Sequence, residues 1–421
     1  MRNHPQLRSK ARPMRGSAAQ RRQHGAFLIT FALFMLFLLG FMGIALDLGR
    51  LFIVKTELQT AMDSCALAAA RELNGQSDAI TRAQNAGMAA GNSNNANLQS
   101  ANWNGQGKLP ATGISFRKQD YVTPTSDGKL ARYAECQYSM SSIKLWLLQA
   151  MGAFTGDSAT WPNTGTVEAR AVATRAPSQS ACPIPVQLKK AKFDALNSSP
   201  GGGKGTWIVA MTKSGGGSDF GWSNLDGSTS ATETWAELEG KYCNTQFPQL
   251  PLDTNGLKAS AFEYWNHRFG IYKKASDTPS QNPSASRPDY TGYIYTDTNW
   301  PSKFNAYDGP AQGGTSNFIT QRQSFTPCGP SCPAKGNETV IGTAEIKLFG
   351  ADRRLVLVPV VNTGGYVVNF ACMLMLQPLP SPIKEDISLE YRGNATDLDS
   401  PCTTTGLAGG TYGPLVPVLV R

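Results

Sequence analysis

Twenty-two consecutive residues, Gly25 to Leu46, carry no charge, and they follow a tail with seven basic residues and no acid: Arg2, Arg8, Lys10, Arg12, Arg15, Arg21 and Arg22. A helix rises about 1.5 Å per residue, so this run reaches about 33 Å, enough to cross a hydrocarbon core of about 30 Å. The basic residues all lie on its amino side. That asymmetry predicts a cytoplasmic tail over residues 1–24, a transmembrane helix over 25–46 and an exported remainder. A cleaved signal peptide would have an apolar region of about 7–15 residues ending at a small-x-small site. Here the run is longer, and the helical pattern continues from Asp47 to Leu73, which favours a retained anchor.

The formal net charge of +9 is concentrated in the tail; beyond Arg22 the chain has 32 basic and 30 acidic residues. A nearly neutral exported part offers no basic groove, which argues against a nucleic-acid partner. Topology and attraction to anionic headgroups account for the tail.

Eight cysteines, Cys65, Cys136, Cys182, Cys243, Cys328, Cys332, Cys372 and Cys402, all fall on the exported side, where an oxidising compartment allows disulfides. Eight cysteines permit 105 pairings, so connectivity is open. Cys65 and Cys136 are the two in the first exported segment, and their pairing is one candidate. Cys328-Gly-Pro-Ser-Cys332 has one residue too many for a thioredoxin motif, and its flanks are too rich in proline and glycine for the helix that would activate a thiol. A structural loop disulfide, or two separate bridges, fits it better.

From Ala26 to Leu73 there is no proline, so a single helix of about 72 Å is expected, half of it beyond the bilayer. Ile44, Leu48, Leu51, Leu58, Met62, Cys65 and Ala69 recur at spacings of three and four, with Lys55 interrupting. This seam packs either on the protein's own head or on helices of partner subunits. Asn74-Gly75 stops the helix. A second helix is expected over Ser77–Ala90, short strands over 111–141, a short buried helix over Ile143–Phe154 and a period-two strand over Thr166–Arg175. Near Pro177 the texture changes to loops rich in glycine, proline and serine, with strand candidates at Trp207–Met211, Arg354–Val361, Tyr366–Leu376 and Leu415–Val420. The polar stretch Ser276–Asp289 reads as a surface loop. The fold class is therefore α+β: an anchor helix, an exported α+β segment over 47–176 and a β-rich, disulfide-bonded domain over 177–421.

The segment Arg22-Gln23-His24-Gly25-Ala26-Phe27-Leu28-Ile29-Thr30-Phe31-Ala32 with Ile44-Ala45-Leu46-Asp47-Leu48-Gly49-Arg50-Leu51, continued by Lys55–Asp63 and Cys65–Ala70, resembles the amino-terminal domain of the TadE/TadG-like proteins of Flp pilus assembly. The resemblance covers about 50 residues. It implies an inner-membrane or pilus-associated component of the tight-adherence system, single-pass, cytoplasmic at its amino terminus and periplasmic beyond the span, with other pilus-assembly proteins as partners. Pilin-like relatives are cut after a glycine and carry glutamate at the fifth mature position. Gly25 and Ala26 match the cleavage pair, whereas Thr30 stands where the glutamate would. An uncompensated charge in lipid is costly, so the missing carboxylate matters for filament entry. Related TadG-type proteins also carry a von Willebrand A domain. Asp226-Gly227-Ser228-Thr229-Ser230 has the letters of its metal loop without the preceding buried strand, so no metal or other cofactor is expected.

Catalytic chemistry is thin on the exported side. His267 is its one histidine, lying among aromatics; Gly203-Lys204 lacks the upstream glycine of a phosphate loop; Glu385-Asp386 reads as solvated surface. A non-catalytic, structural role follows. The alternative is an envelope adhesin that binds a surface ligand such as glycan or host matrix, with Trp222, Trp235, Trp265 and Trp300 as stacking platforms.

Overall fold

The computed structural model describes residues 24–157, 159–211, 220–225, 231–243, 252, 254–255, 262–329, 332–380, 386–404 and 406–420. The basic tail and Asp226–Ser230 lie outside them, as does Glu385. Among them are helices and sheets in an α+β arrangement, and the eight cysteines form four disulfides.

The proline-free stretch forms one 48-residue helix, α1 (His24–Arg71). It ends where Asn74 donates its N–H to the Glu72 carbonyl and Gly75 takes φ +78°, a conformation glycine adopts without steric cost. Helix α2 (Ala79–Ser93) runs three residues past the expected stop at Ala90. Gly91 belongs to the helix because it packs on α1: a Cβ there would lie 3.2 Å from the Cys65 Cβ, and one at Gly87 would lie 3.1 Å from the Cys65 Sγ. Small residues let the two backbones approach closely.

Strands β1 (Ile114–Arg117) and β2 (Tyr133–Lys144) are followed by helix α3 (Trp146–Thr155) and strand β3 (Thr164–Pro177). Downstream come β4 (Val186–Lys189), helix α4 (Lys190–Asn197), β5 (Trp207–Met211), β6 (Phe220–Ser223), β7 (Thr254–Asn255), β8 (Ile271–Tyr272), β9 (Thr339–Val340), β10 (Leu355–Val361), β11 (Val367–Met375), β12 (Ile387–Asn394) and β13 (Leu415–Leu419). A four-stranded sheet has the order β1-β2-β3-β13, a seven-stranded sheet the order β5-β12-β11-β10-β4-β6-β7, and β8 pairs with β9.

The chain divides into two compact units, one within Met1–Thr56 and Ser139–Glu168, the other within Glu57–Tyr138 and Ala169–Arg421. The texture change near Pro177 falls inside the second unit. There β13 returns to β3, pairing Leu415 with Pro177 and Leu419 with Ala173 in antiparallel register. The unbroken apolar run of β10 is explained by burial of both strand faces. Val356, Val358 and Val360 enter one core cluster with Met373, Leu389, Trp265 and Phe269, whereas Leu357 and Val361 enter another with Phe370 and Cys372.

Candidate membrane-proximal site

In the first unit, α1 presents apolar side chains outward. Phe27 through Leu39 are exposed, and Thr30 donates its hydroxyl to the Phe27 carbonyl at 3.0 Å. The residue at the glutamate position thus bonds within its own helical turn. Gly25 and Ala26 lie in the first turn of α1. Among the described residues this is the one helix long and apolar enough to cross a membrane.

Helix α3 is tied to α1 where the apolar run ends. Asp47 is 5 % exposed, and its Oδ2 accepts the backbone N–H groups of Leu147 (3.0 Å) and Leu148 (2.8 Å). A helix leaves its first N–H groups without internal partners, and a carboxylate there satisfies them and complements the helix dipole. Arg50 lies 4.8 Å from the centroid of the Trp146 ring, a cation–π contact. Leu147 and Met151 pack on the glycines below: Cβ atoms at Gly43 and Gly40 would lie 3.1 Å from Leu147 Cβ and 3.5 Å from Met151 Cε. Leu145 donates its N–H to the Asn163 carbonyl at 2.9 Å, closing the excursion before β3 begins. The expected burial of this helix is not what forms. Trp146 is 65 % and Leu147 40 % exposed, although α3 packs on α1 at Gly43 and on Trp161 at Gly152. No pattern in the sequence links Asp47 to a partner a hundred residues away.

The seam divides along its length. Leu48 is exposed and Leu51 half-buried in the first unit, whereas Leu58, Met62 and Cys65 are fully buried inside the second. Leu58 and Met62 therefore serve the protein's own core. Lys55, the interruption, donates to the Glu168 carbonyl. Cys65 is bonded to Cys136, Cys182 to Cys243, Cys328 to Cys332 and Cys372 to Cys402.

His267 is buried, stacked on Tyr272 at 4.7 Å and edge-on to Tyr264 at 5.2 Å. Burial, reinforced by the charge of Arg353, pushes its pKa down to about 4 from 6.5. The ring is held neutral and packed against the two tyrosines. Trp222, Trp265 and Trp300 are corrected as stacking platforms: they are at most 9 % exposed, and the indoles of Trp265 and Trp300 donate to the carbonyls of Gln377 and Phe304. Trp235 is half-buried and stacked on Tyr264. Trp265 and Trp300 suit core positions by their size and because each indole N–H finds a partner there. The expected surface loop at Ser276–Asp289 also ends in the interior. Asp289 is fully buried and accepts the N–H groups of Arg353 (2.8 Å) and Arg354 (2.9 Å). Among the described residues no group of three His, Cys, Asp or Glu side chains is placed to hold a metal ion.

The comparison with curated proteins and that with solved structures gave no match. The family model described as putative Flp pilus-assembly TadE/G-like matches residues 25–72, a span that coincides with α1 and contains Asp47, Arg50 and Cys65. Over residues 25–72 the chain is similar to the TadE/G-like family of Flp pilus assembly, and that match lies on the one described helix long and apolar enough to cross a membrane.

Proposed function

We propose that the protein is a non-catalytic, single-pass anchor component of a Tad/Flp-type pilus system, with its amino terminus in the cytoplasm and its disulfide-bonded part in the periplasm. The observation that carries this reading is the coincidence of the family match with a helix that is apolar and exposed in one half and buried in its own head in the other. The basic tail supports the orientation, and the four disulfides suit an oxidising compartment. The exposed face of α3 extends the apolar surface of the anchor, since Leu147 and Met151 lie at the level of Gly43 and Gly40, inside the uncharged run. Contact with partner helices falls to the exposed part of the seam, Leu48 with Phe52 and Ile53 beside it.

Deletion in the native cell should abolish surface pili, and the protein should co-purify from membranes with pilus-assembly proteins. Leu48→Glu should lose those partners while keeping the fold. Normal piliation after deletion overturns the proposal. Amino-terminal sequencing of the membrane-extracted protein separates two forms of it: a start at Met1 means a permanent anchor, and a start at Ala26 means prepilin-type processing.

A further inference from the structure

The second unit contains a pocket of about 870 Å³ lined by the end of α1, β10, β13 and the loop after β12. This volume lies in the range of sites for small organic ligands, about 300–1,000 Å³. Four acids and four arginines stand in its wall: Glu72, Glu239, Asp352, Asp399, and Arg71, Arg175, Arg268, Arg353. The two sets do not pair with each other. Glu72 takes Arg82 at 3.2 Å, Asp352 takes Arg322 at 3.3 Å, Asp399 takes Lys204 at 2.6 Å, and Glu239 takes Lys241. Those four cations stand outside the lining.

Among the described residues, the acceptors of Arg175, Arg268 and Arg353 are neutral. Arg175 Nη1 donates to the carbonyls of Leu398 (2.8 Å) and Leu73 (3.2 Å), Arg268 donates to the carbonyls of Arg353 and Leu238, and Arg353 Nη2 lies 3.5 Å from Ser286 Oγ. Among the described residues none of the four has an acidic side chain in ion-pair reach. Two polar atoms on the same wall are buried without a partner, Arg268 Nε and Ser400 Oγ, in residues 5 % and 8 % exposed. Burial holds Arg175, Arg268 and Arg353 below the ordinary guanidinium range, and like charge adds to it for two of them: Arg71 acts on Arg175 and Arg353 on Arg268. Glu72 acts on Arg175, and Glu239 and Asp289 on Arg268 and Arg353, but from beyond ion-pair distance; desolvated cations so placed are costly, and an anion seated among them relieves that cost.

We propose that this pocket binds a small polyanion, its phosphate or carboxylate oxygens held by Arg71, Arg175, Arg268 and Arg353 with Ser400 as a further donor. Guanidinium groups present planar pairs of N–H donors that match both oxyanions. Each acid of the wall is ion-paired with a cation outside it, which weakens its repulsion of the ligand.

Isothermal titration of the full chain in detergent with sodium tripolyphosphate, and separately with citrate, tests this. Saturable binding of either is expected, weakening as salt screens the charges; the tighter of the two identifies phosphate or carboxylate as the preferred group. Arg353→Gln should weaken binding about tenfold or more, the loss of one charged contact. Arg71→Gln, at an exposed position, should weaken it without threatening the fold. Lys303→Gln, outside the pocket, should bind as the native protein does. Failure of the native chain to bind either probe, or native-like binding by both arginine variants, overturns the proposal.

Discussion

His267 shows how one side chain can set an acid limit on stability. Its pKa is pushed down to about 4 in the fold from 6.5, so between those values the unfolded chain takes up a proton that the native state refuses. Stability is therefore full above pH 6.5 and declines as pH falls toward 4, by about 3 kcal/mol over the whole interval. Denaturant unfolding at pH 7 and pH 4.5 should show this loss, and His267→Gln should remove that share of it. Arg354 is a second residue of this kind. It is fully buried, donates to the carbonyls of Met375 (2.8 Å) and Tyr293 (2.6 Å), and lies 4.4 Å from the Phe269 ring centroid. Arg354→Leu leaves those buried carbonyls without their donor, while Asp289 keeps Arg322 at 3.6 Å, and should cost about 1–3 kcal/mol for each group left unpaired, by the same unfolding measurement. The sequence placed His267 among aromatics but gave no sign of Arg354 or Asp289, whose partners come from separate parts of the chain.

At the scale of elements, the helices and strands follow from local pattern, and their attachments do not. The proline-free run specified α1, and the apolar runs specified β10 and β11 because a strand buried on both faces needs no alternation. Whether α3 would be buried was not legible: its composition suits a core, and only the Asp47 cap and the glycine contacts fix it to α1 with one face free. Asp47→Ala should destabilise the start of α3 by about 0.5–2 kcal/mol, the usual value of a lost cap. Faster hydrogen exchange at the Leu147 and Leu148 amides would report it. Gly87 makes the opposite test, of crowding. A Cβ there meets the disulfide-bonded Cys65 and Ile114 Cδ1, both at 3.1 Å. Gly87→Val should therefore cost about 1–3 kcal/mol in thermal unfolding despite glycine's poor helix propensity.

For the whole molecule, the long-range links are covalent and sheet-borne. The Cys65–Cys136 bond spans 71 residues and joins α1 to β2 within the second unit. Replacing both cysteines by serine should lower stability by about 2–5 kcal/mol, read by denaturant titration. The strand β13 carries the end of the chain back to β3, so the segment before Pro177 and the region after it share a sheet that a composition change alone had separated. By itself the sequence determined the long apolar helix, the α+β class and the TadE/G-like resemblance. Each of these rests on local composition, a run length or a short ordered motif. Only the tertiary structure decided which cysteines meet, that Leu58 and Met62 are interior while Leu48 is free, that Trp265 and Trp300 are core residues, and that four unpaired arginines line one pocket. Those outcomes depend on which distant residues the folded backbone brings together, and a linear pattern does not encode that directly.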